Sequence, residues 1–238
     1  MAFIEPNPIG RLNMEKGKLS QFLDRQIKDL KSLDIWRATS AEFLGTMLLV
    51  IFSVGTGFTD FYPSEKPGST PPSSTNMALE AGLYIGVIIT VLGTISGGHV
   101  NPAISLGFVL TGNMTFVRFI LYIIAQTIGG VAGAGLLLVL APARIRGTLG
   151  VIEPASGVAD EQALFCEVII TFFLLFGTFA MIDGGRKDLH GSVPLMIGLI
   201  VTINIFFAWN MSGGCMNPAR SFGPAIVMGN TDKLWKIQ

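Results

Sequence analysis

The sequence predicts an all-α membrane protein, a helical bundle of inverted repeats in which two short helices enter the bilayer and stop. Three observations lead there. Five apolar stretches within 238 residues each approach the ~20 residues that a bilayer core demands. The tripeptide Asn-Pro-Ala occurs twice, at Asn101-Pro102-Ala103 and Asn217-Pro218-Ala219, each time ahead of an apolar run too short to cross. A Glu followed four residues later by Thr recurs early in two of the spans, at Glu42 with Thr46 and at Glu167 with Thr171. Composition agrees, since half the residues are apolar, 13% are charged and the mean hydropathy is +0.59.

Residues 1–36 read as a hydrophilic tail with no short apolar core ahead of a small-residue cleavage site, so the first span is expected to direct insertion. Within the tail, 21–31 alternates charges with Phe22, Leu23, Ile27 and Leu30. That pattern fits either a helix lying on a membrane surface or a polar tail with helical propensity. Spans are predicted over 41–59, 77–95, 116–140, 163–182 and 193–209. The connectors 60–76 and 141–162, rich in turn formers, read as exposed loops. A first repeat is expected over 37–140 and a second over 163–238, with 141–162 as an extracellular loop between them.

Each Asn-Pro-Ala reads as a buried helix start. Proline suits the first helical position because its missing N–H would have had no partner there, and the preceding asparagine can cap with its side chain. A Ser-Gly-Gly turn precedes each, at Ser96 to Gly98 and Ser212 to Gly214. The runs 103–110 and 219–227 would rise only ~12 to 14 Å, roughly half a bilayer core. They can dip in but not cross.

Charge sets the orientation. Arg11, Lys16, Lys18, Arg25, Lys28, Lys31 and Arg37 precede the first span, and Arg186 and Lys187 lie between the fourth and fifth, so the N-terminus is expected in the cytoplasm. Arg144 and Arg146 run against this. Counting crossings, the two half-helices then enter from opposite faces, and their positive ends meet near the midplane. An odd number of crossings between the copies inverts the repeats, an arrangement found in transporters and channels. A carboxylate inside a span is costly unless paired, so Glu42 and Glu167 face the bundle interior, as proton relays or as acceptors for the backbone of the re-entrant loops.

The stretches Ser96-Gly97-Gly98-His99-Val100-Asn101-Pro102-Ala103 and Ser212-Gly213-Gly214-Cys215-Met216-Asn217-Pro218-Ala219-Arg220-Ser221-Phe222-Gly223-Pro224 resemble the paired signatures of the major intrinsic proteins, the aquaporin family. With 91–99, they look most like the eight-type aquaporins, the aquaammoniaporins. The resemblance implies a passive channel, usually a homotetramer with one lumen per subunit. In such a channel Asn101 and Asn217 present N–H donors to the lumen. Water and small neutral solutes then pass, among them ammonia, hydrogen peroxide, urea and, at the upper size limit, glycerol, while cations and protons are excluded. The resemblance also implies a selectivity constriction, which falls on Ala81, Ile205, Gly214 and Arg220. Relatives carry an aromatic ring or histidine at the Ala81 position, so Ala81 implies a wider, less polar gate. Cys215 beside Gly214 is either a mercurial site or a packing residue, and His99 is expected to brace its loop.

The family pattern has a sixth span, whereas 228–238 is too short and too charged to cross. The expected bundle therefore lacks that span. This leaves a second reading, a truncated nonconducting isoform that regulates full-length relatives, and a third, a secondary transporter, which ion-dependence of flux would reveal. Zero net charge suggests no nucleic-acid partner. Cys166 and Cys215 make no disulfide framework, and neither a metal-ligand spacing, a cofactor motif nor a catalytic nucleophile with its base is present. A multi-pass location follows, in the plasma membrane or an organelle membrane.

Overall fold

The computed structural model describes residues 8–58, 74–186, 188 and 191–231. Expectations placed on 59–73, Lys187 and 232–238 lie outside the described residues. Among the described residues every regular element is helical: α1 (Pro8–Leu30), α2 (Leu33–Gly55) with a 3-10 turn (Thr56–Phe58), α3 (Ser74–Ser96), α4 (Pro102–Leu110), α5 (Phe116–Leu140), α6 (Ala143–Arg146), α7 (Asp160–Ile182), α8 (Val193–Ala208) and α9 (Pro218–Val227). Helices α2, α3, α5 and α7 are long and apolar enough to cross a bilayer. Helix α8 has 16 residues, and turn bonds from Trp209, Met211 and Ser212 back to its last carbonyls extend it.

Local chemistry sets the helix starts. The Ser32 hydroxyl accepts from the Ile35 N–H at 3.2 Å, and Thr115 and Ser192 do the same for Arg118 and Leu195. Helix α2 therefore begins at Leu33 rather than near residue 41. Its first turns carry Asp34 and Arg37, which an apolar window passes over but a cap does not.

Helices α4 and α9 run in opposite directions from the centre of the bundle. Beyond the end of α4, Gly112 O accepts from Arg25 Nη2 of α1 at 3.2 Å. Beyond the end of α9, Asn230 Nδ2 donates to Glu153 Oε1 at 2.8 Å, in the loop at the far end. The long helices pack mainly as α2 on α5, α3 on α8 and α5 on α9. The α3–α8 crossing is tight and reciprocal. A Cβ on Gly82 would lie 2.4 Å from Gly198 O, and one on Gly198 would lie 2.3 Å from Gly82 O. Small residues let these backbones touch, as helices do where lipid supplies no hydrophobic drive to associate. Helix α5 approaches α9 by the same means, through Gly130 and Gly223.

Helix α5 has no counterpart after α9 among the described residues. At the corresponding place in the second repeat an apolar groove of about 480 Å³ runs between α4 and α7, lined in part by Leu106, Leu164, Val168 and Phe172.

The 141–162 segment is not simply an exposed loop. It carries α6, buries Leu149 and folds inward, with the Ala155 N–H donating to Met211 O at 2.9 Å. Its reach toward the bundle is explained by the donors it satisfies there, Arg220 among them.

At the other end, α1 docks through its polar face. Gln26 Oε1 accepts from the Val117 N–H, an orphan donor at the start of α5. The Asp29 carboxylate takes two bonds from Arg118, at 3.1 and 2.7 Å, and accepts from the Thr115 hydroxyl. Burial pushes the Asp29 carboxyl up, but the Arg118 and Thr115 hydrogen bonds and the Arg118 charge outweigh it and hold it below the usual carboxylate range. Leu19, Phe22, Leu23 and Ile27 remain exposed along α1.

Candidate functional site

Two matching loops, 96–101 and 212–217, lead into α4 and α9. Each bends through left-handed backbone: Gly97, Gly98 and Val100 have φ of 93°, 63° and 42°, and Gly213, Gly214 and Met216 have 89°, 68° and 53°. Val100 is β-branched and rarely adopts such a φ. Bonds at both of its peptide groups hold it there. Its N–H donates to Glu42 Oε2 at 2.6 Å and its carbonyl accepts from Asn217 Nδ2 at 2.8 Å.

Each loop hangs on a carboxylate. Glu42 Oε1 accepts from the Ser96 hydroxyl at 2.6 Å and the His99 N–H at 3.0 Å. Its other oxygen accepts from Val100 and from Gln126 Nε2 at 2.7 Å. Glu167 repeats the pattern, with the Ser212 hydroxyl at 2.6 Å, the Cys215 N–H at 3.0 Å and the Met216 N–H at 2.7 Å. Such bonds compensate a buried carboxylate and use loop donors that lipid could not satisfy. Helix α5 adds support to the first loop alone. Gln126 also reaches Ser105 Oγ at 3.0 Å, and the Tyr122 hydroxyl donates to Ser96 O at 2.7 Å.

The asparagines use both ends of their amides. Asn101 Oδ1 accepts from the Ala103 N–H at 2.8 Å, and Asn217 Oδ1 from Ala219 and Arg220 at 3.1 and 3.3 Å. Pro102 and Pro218 open the two helices. Asn101 Nδ2 donates to Met216 O at 2.8 Å, the mirror of the bond from Asn217 to Val100. A primary amide nitrogen carries two N–H groups, so each has a second donor left over.

Cavities lie on either side of this junction. The far one, about 70 Å³, is lined by both asparagines and by Ala81, Ile205, Gly214, Cys215 and Arg220. The one toward α1, about 100 Å³, is lined by Asn101, His99, Ile89 and Phe108. Ile85, Asn101, Leu174 and Val201 line both. Arg220 Nη1 donates to Gly150 O at 2.8 Å, which fixes the cation at the rim. The His99 ring lies 4.2 Å from that of Phe108 between centroids, with Nδ1 3.1 Å from Ser105 Oγ. Cys215 Sγ is turned to Asn217 O at 3.2 Å.

Sequence reasoning missed Ser96, Ser212, Tyr122 and Gln126 as members of this network. Two signals were available. The serines stand at the same distance before the two asparagines, and Gln126 is an amide inside an apolar span, where a polar side chain needs a partner.

The Major intrinsic protein family model matches residues 29–237. Aquaporin-4 of Mus musculus is 42% identical over 200 residues, covering 84% of this chain and 61% of that one. Aquaporin-5 of Sus scrofa is 39% identical over 201 residues, covering 84% and 73%. The chain thus spans about three-fifths of the length of the Aquaporin-4 relatives. Among solved structures, the aquaglyceroporin from Plasmodium falciparum superposes with a TM-score of 0.70 at 22% identity, covering 84% of each chain, a likeness of fold. Two re-entrant helices joined head to head through their asparagines, the family match and these relatives lead to one conclusion: the chain belongs to the major intrinsic protein, or aquaporin, family.

Proposed function

We propose that the protein is a passive transmembrane channel for water and small neutral solutes, with ammonia, hydrogen peroxide and urea in its range and glycerol at its upper limit. The observation that carries this reading is Asn101, shared by the walls of two cavities while its amide is pinned to the opposite loop. The N-termini of α4 and α9 converge there with their partial positive charge, which repels cations. The spare amide donors hold the oxygen of a passing water, and a water so held cannot keep a proton wire continuous.

Selectivity falls to the far cavity. Arg220 donates to permeants and excludes cations, while Ala81, Ile205 and Gly214 form a wide, apolar opposing wall. Glu42, Glu167 and His99 brace the loops, and Cys215 is the candidate mercurial site. The excess of basic residues before α2 supports a cytoplasmic N-terminus, in a plasma or organelle membrane, and the family supports a homotetramer. The signature residues favour the eight-type subgroup.

Stopped-flow measurements on proteoliposomes with water, urea, glycerol and ammonia test the reading. It predicts flux down each solute's own gradient, independent of ions and voltage; ion-coupled flux would mean a transporter.

A further inference from the structure

Ser53 and Thr178 occupy equivalent places in the two repeats, each eleven residues beyond the buried glutamate of its own repeat, Glu42 or Glu167. Both are buried, at 8% and 6% exposure. Neither hydroxyl has a hydrogen-bond partner among the described residues. A hydroxyl inside a helix commonly turns back to the carbonyl four residues earlier, as Thr90 and Thr202 do here. Ser53 and Thr178 do not. Instead, Ser53 lines the far cavity and Thr178 the cavity toward α1. The other buried side-chain atoms left unpartnered belong to Thr39, Thr46 and Gln126, and none of these residues lines either cavity.

Resting on the channel reading, we propose that Ser53 and Thr178 form a pair of permeant-binding stations, one on each side of the Asn101–Asn217 centre. Each hydroxyl donates to and accepts from a water or a small neutral hydroxyl- or amine-bearing solute. The physical need is plain: buried polar groups in native proteins find partners, in protein or in water. The walls beside them are apolar, with Leu174 and Val201 common to both cavities. A molecule leaving the asparagines would lose its hydrogen bonds over this stretch unless a wall group replaced one. A neutral hydroxyl replaces it weakly enough to release the molecule again, as conduction requires. The inverted repeat supplies the same device to both half-channels.

The test compares wild type with Ser53→Ala, Thr178→Val, the double variant, and the hydroxyl-keeping Ser53→Thr and Thr178→Ser. Water permeability per reconstituted protein is measured against temperature in proteoliposomes. Each hydroxyl deletion is expected to lower unit permeability by about two- to tenfold, the span of one neutral hydrogen bond, and to steepen its temperature dependence. The hydroxyl-keeping variants stay near wild type. Wild-type flux that the double variant leaves unaltered overturns the stations alone, whereas no wild-type flux above protein-free vesicles overturns the channel reading and the stations with it. A map of the wild-type protein at a resolution that shows waters gives a readout independent of any variant's folding. Density within hydrogen-bond distance of Ser53 Oγ and Thr178 Oγ1 is expected, and dry hydroxyls there overturn the proposal.

Discussion

Asn101 and Asn217 each hand a side-chain N–H to the loop that carries the other, Asn101 to Met216 O and Asn217 to Val100 O, both at 2.8 Å. The accepting carbonyls belong to the left-handed non-glycine residue of each loop, Met216 and Val100. Each bond therefore stabilises the strained conformation of the opposite loop while aiming its own amide. Loop shape and amide direction are one property.

Replacing Asn101 or Asn217 with Ala removes a cap and a cross-loop bond together. Each loss typically costs about 1 kcal/mol, with more for the carbonyl left buried. Each single variant should lower thermal stability in detergent. The double variant should lose less than the sum, because the two bonds support one junction. Strict additivity in a double-mutant cycle would contradict that coupling.

Glu42→Ala and Glu167→Ala should each destabilise strongly, by about 1–3 kcal/mol for each buried N–H left without an acceptor. The change leaves the His99 and Val100 N–H groups without acceptors in the first case and the Cys215 and Met216 groups in the second. The yield of monodisperse protein after solubilisation reads this out. Near-normal yield for both would show that the loops hold without their carboxylates.

Gly82→Ala should disturb the α3–α8 crossing, since its Cβ would fall 2.4 Å from Gly198 O, a backbone atom that cannot rotate away. Overpacking of this kind costs about 1–3 kcal/mol. Gly135→Ala, whose Cβ would meet nothing within 4 Å, serves as the control. Equal melting temperatures for the two variants would show that the helices can separate freely.

Ala81→His narrows the far cavity and adds a donor to walls that Arg220 also lines. Water flux relative to urea and glycerol is expected to rise, and Arg220→Val should shift the order the other way. Unchanged ratios in the proteoliposome assay would place the selective constriction elsewhere.

The docking of α1 should depend on pH in one direction only. The Asp29 carboxyl lies below its ordinary value when docked, so its contribution is fully present above the unfolded carboxylate value, near 3.9. It is lost as pH falls through the docked value. Protease access to α1 should stay flat from neutral pH to about 4 and rise only below that. Asp29→Asn should raise access at neutral pH, by about 1–3 kcal/mol of lost docking, and should abolish the further rise in acid. Release of α1 between pH 7 and 5 would refute the pairing with Arg118.

Much of this protein was legible in the residues. Hydropathy located the apolar spans, because a bilayer demands length and apolarity of each one independently of its neighbours. Pro102 and Pro218 marked helix starts, because proline acts through its own φ and its missing N–H. Residues 41–59 and 141–162 were read less well. The first boundary depends on a Ser32 cap within a polar stretch, and the loop folds inward onto acceptors and donors distant in sequence.

By itself, the sequence determined the apolar helices, the repeat and its inversion, since periodicity, run length and an odd count of crossings are all local or additive. Tertiary structure alone decided the partners. That Gln126 meets Glu42, that Arg220 meets Gly150, and that Ser53 and Thr178 stand at cavity walls with hydroxyls that do not bond within their helices are relations across tens of residues. A hydrogen bond is fixed within a few tenths of an ångström and by angle. Only the packing of the helices through their glycine contacts sets geometry that fine.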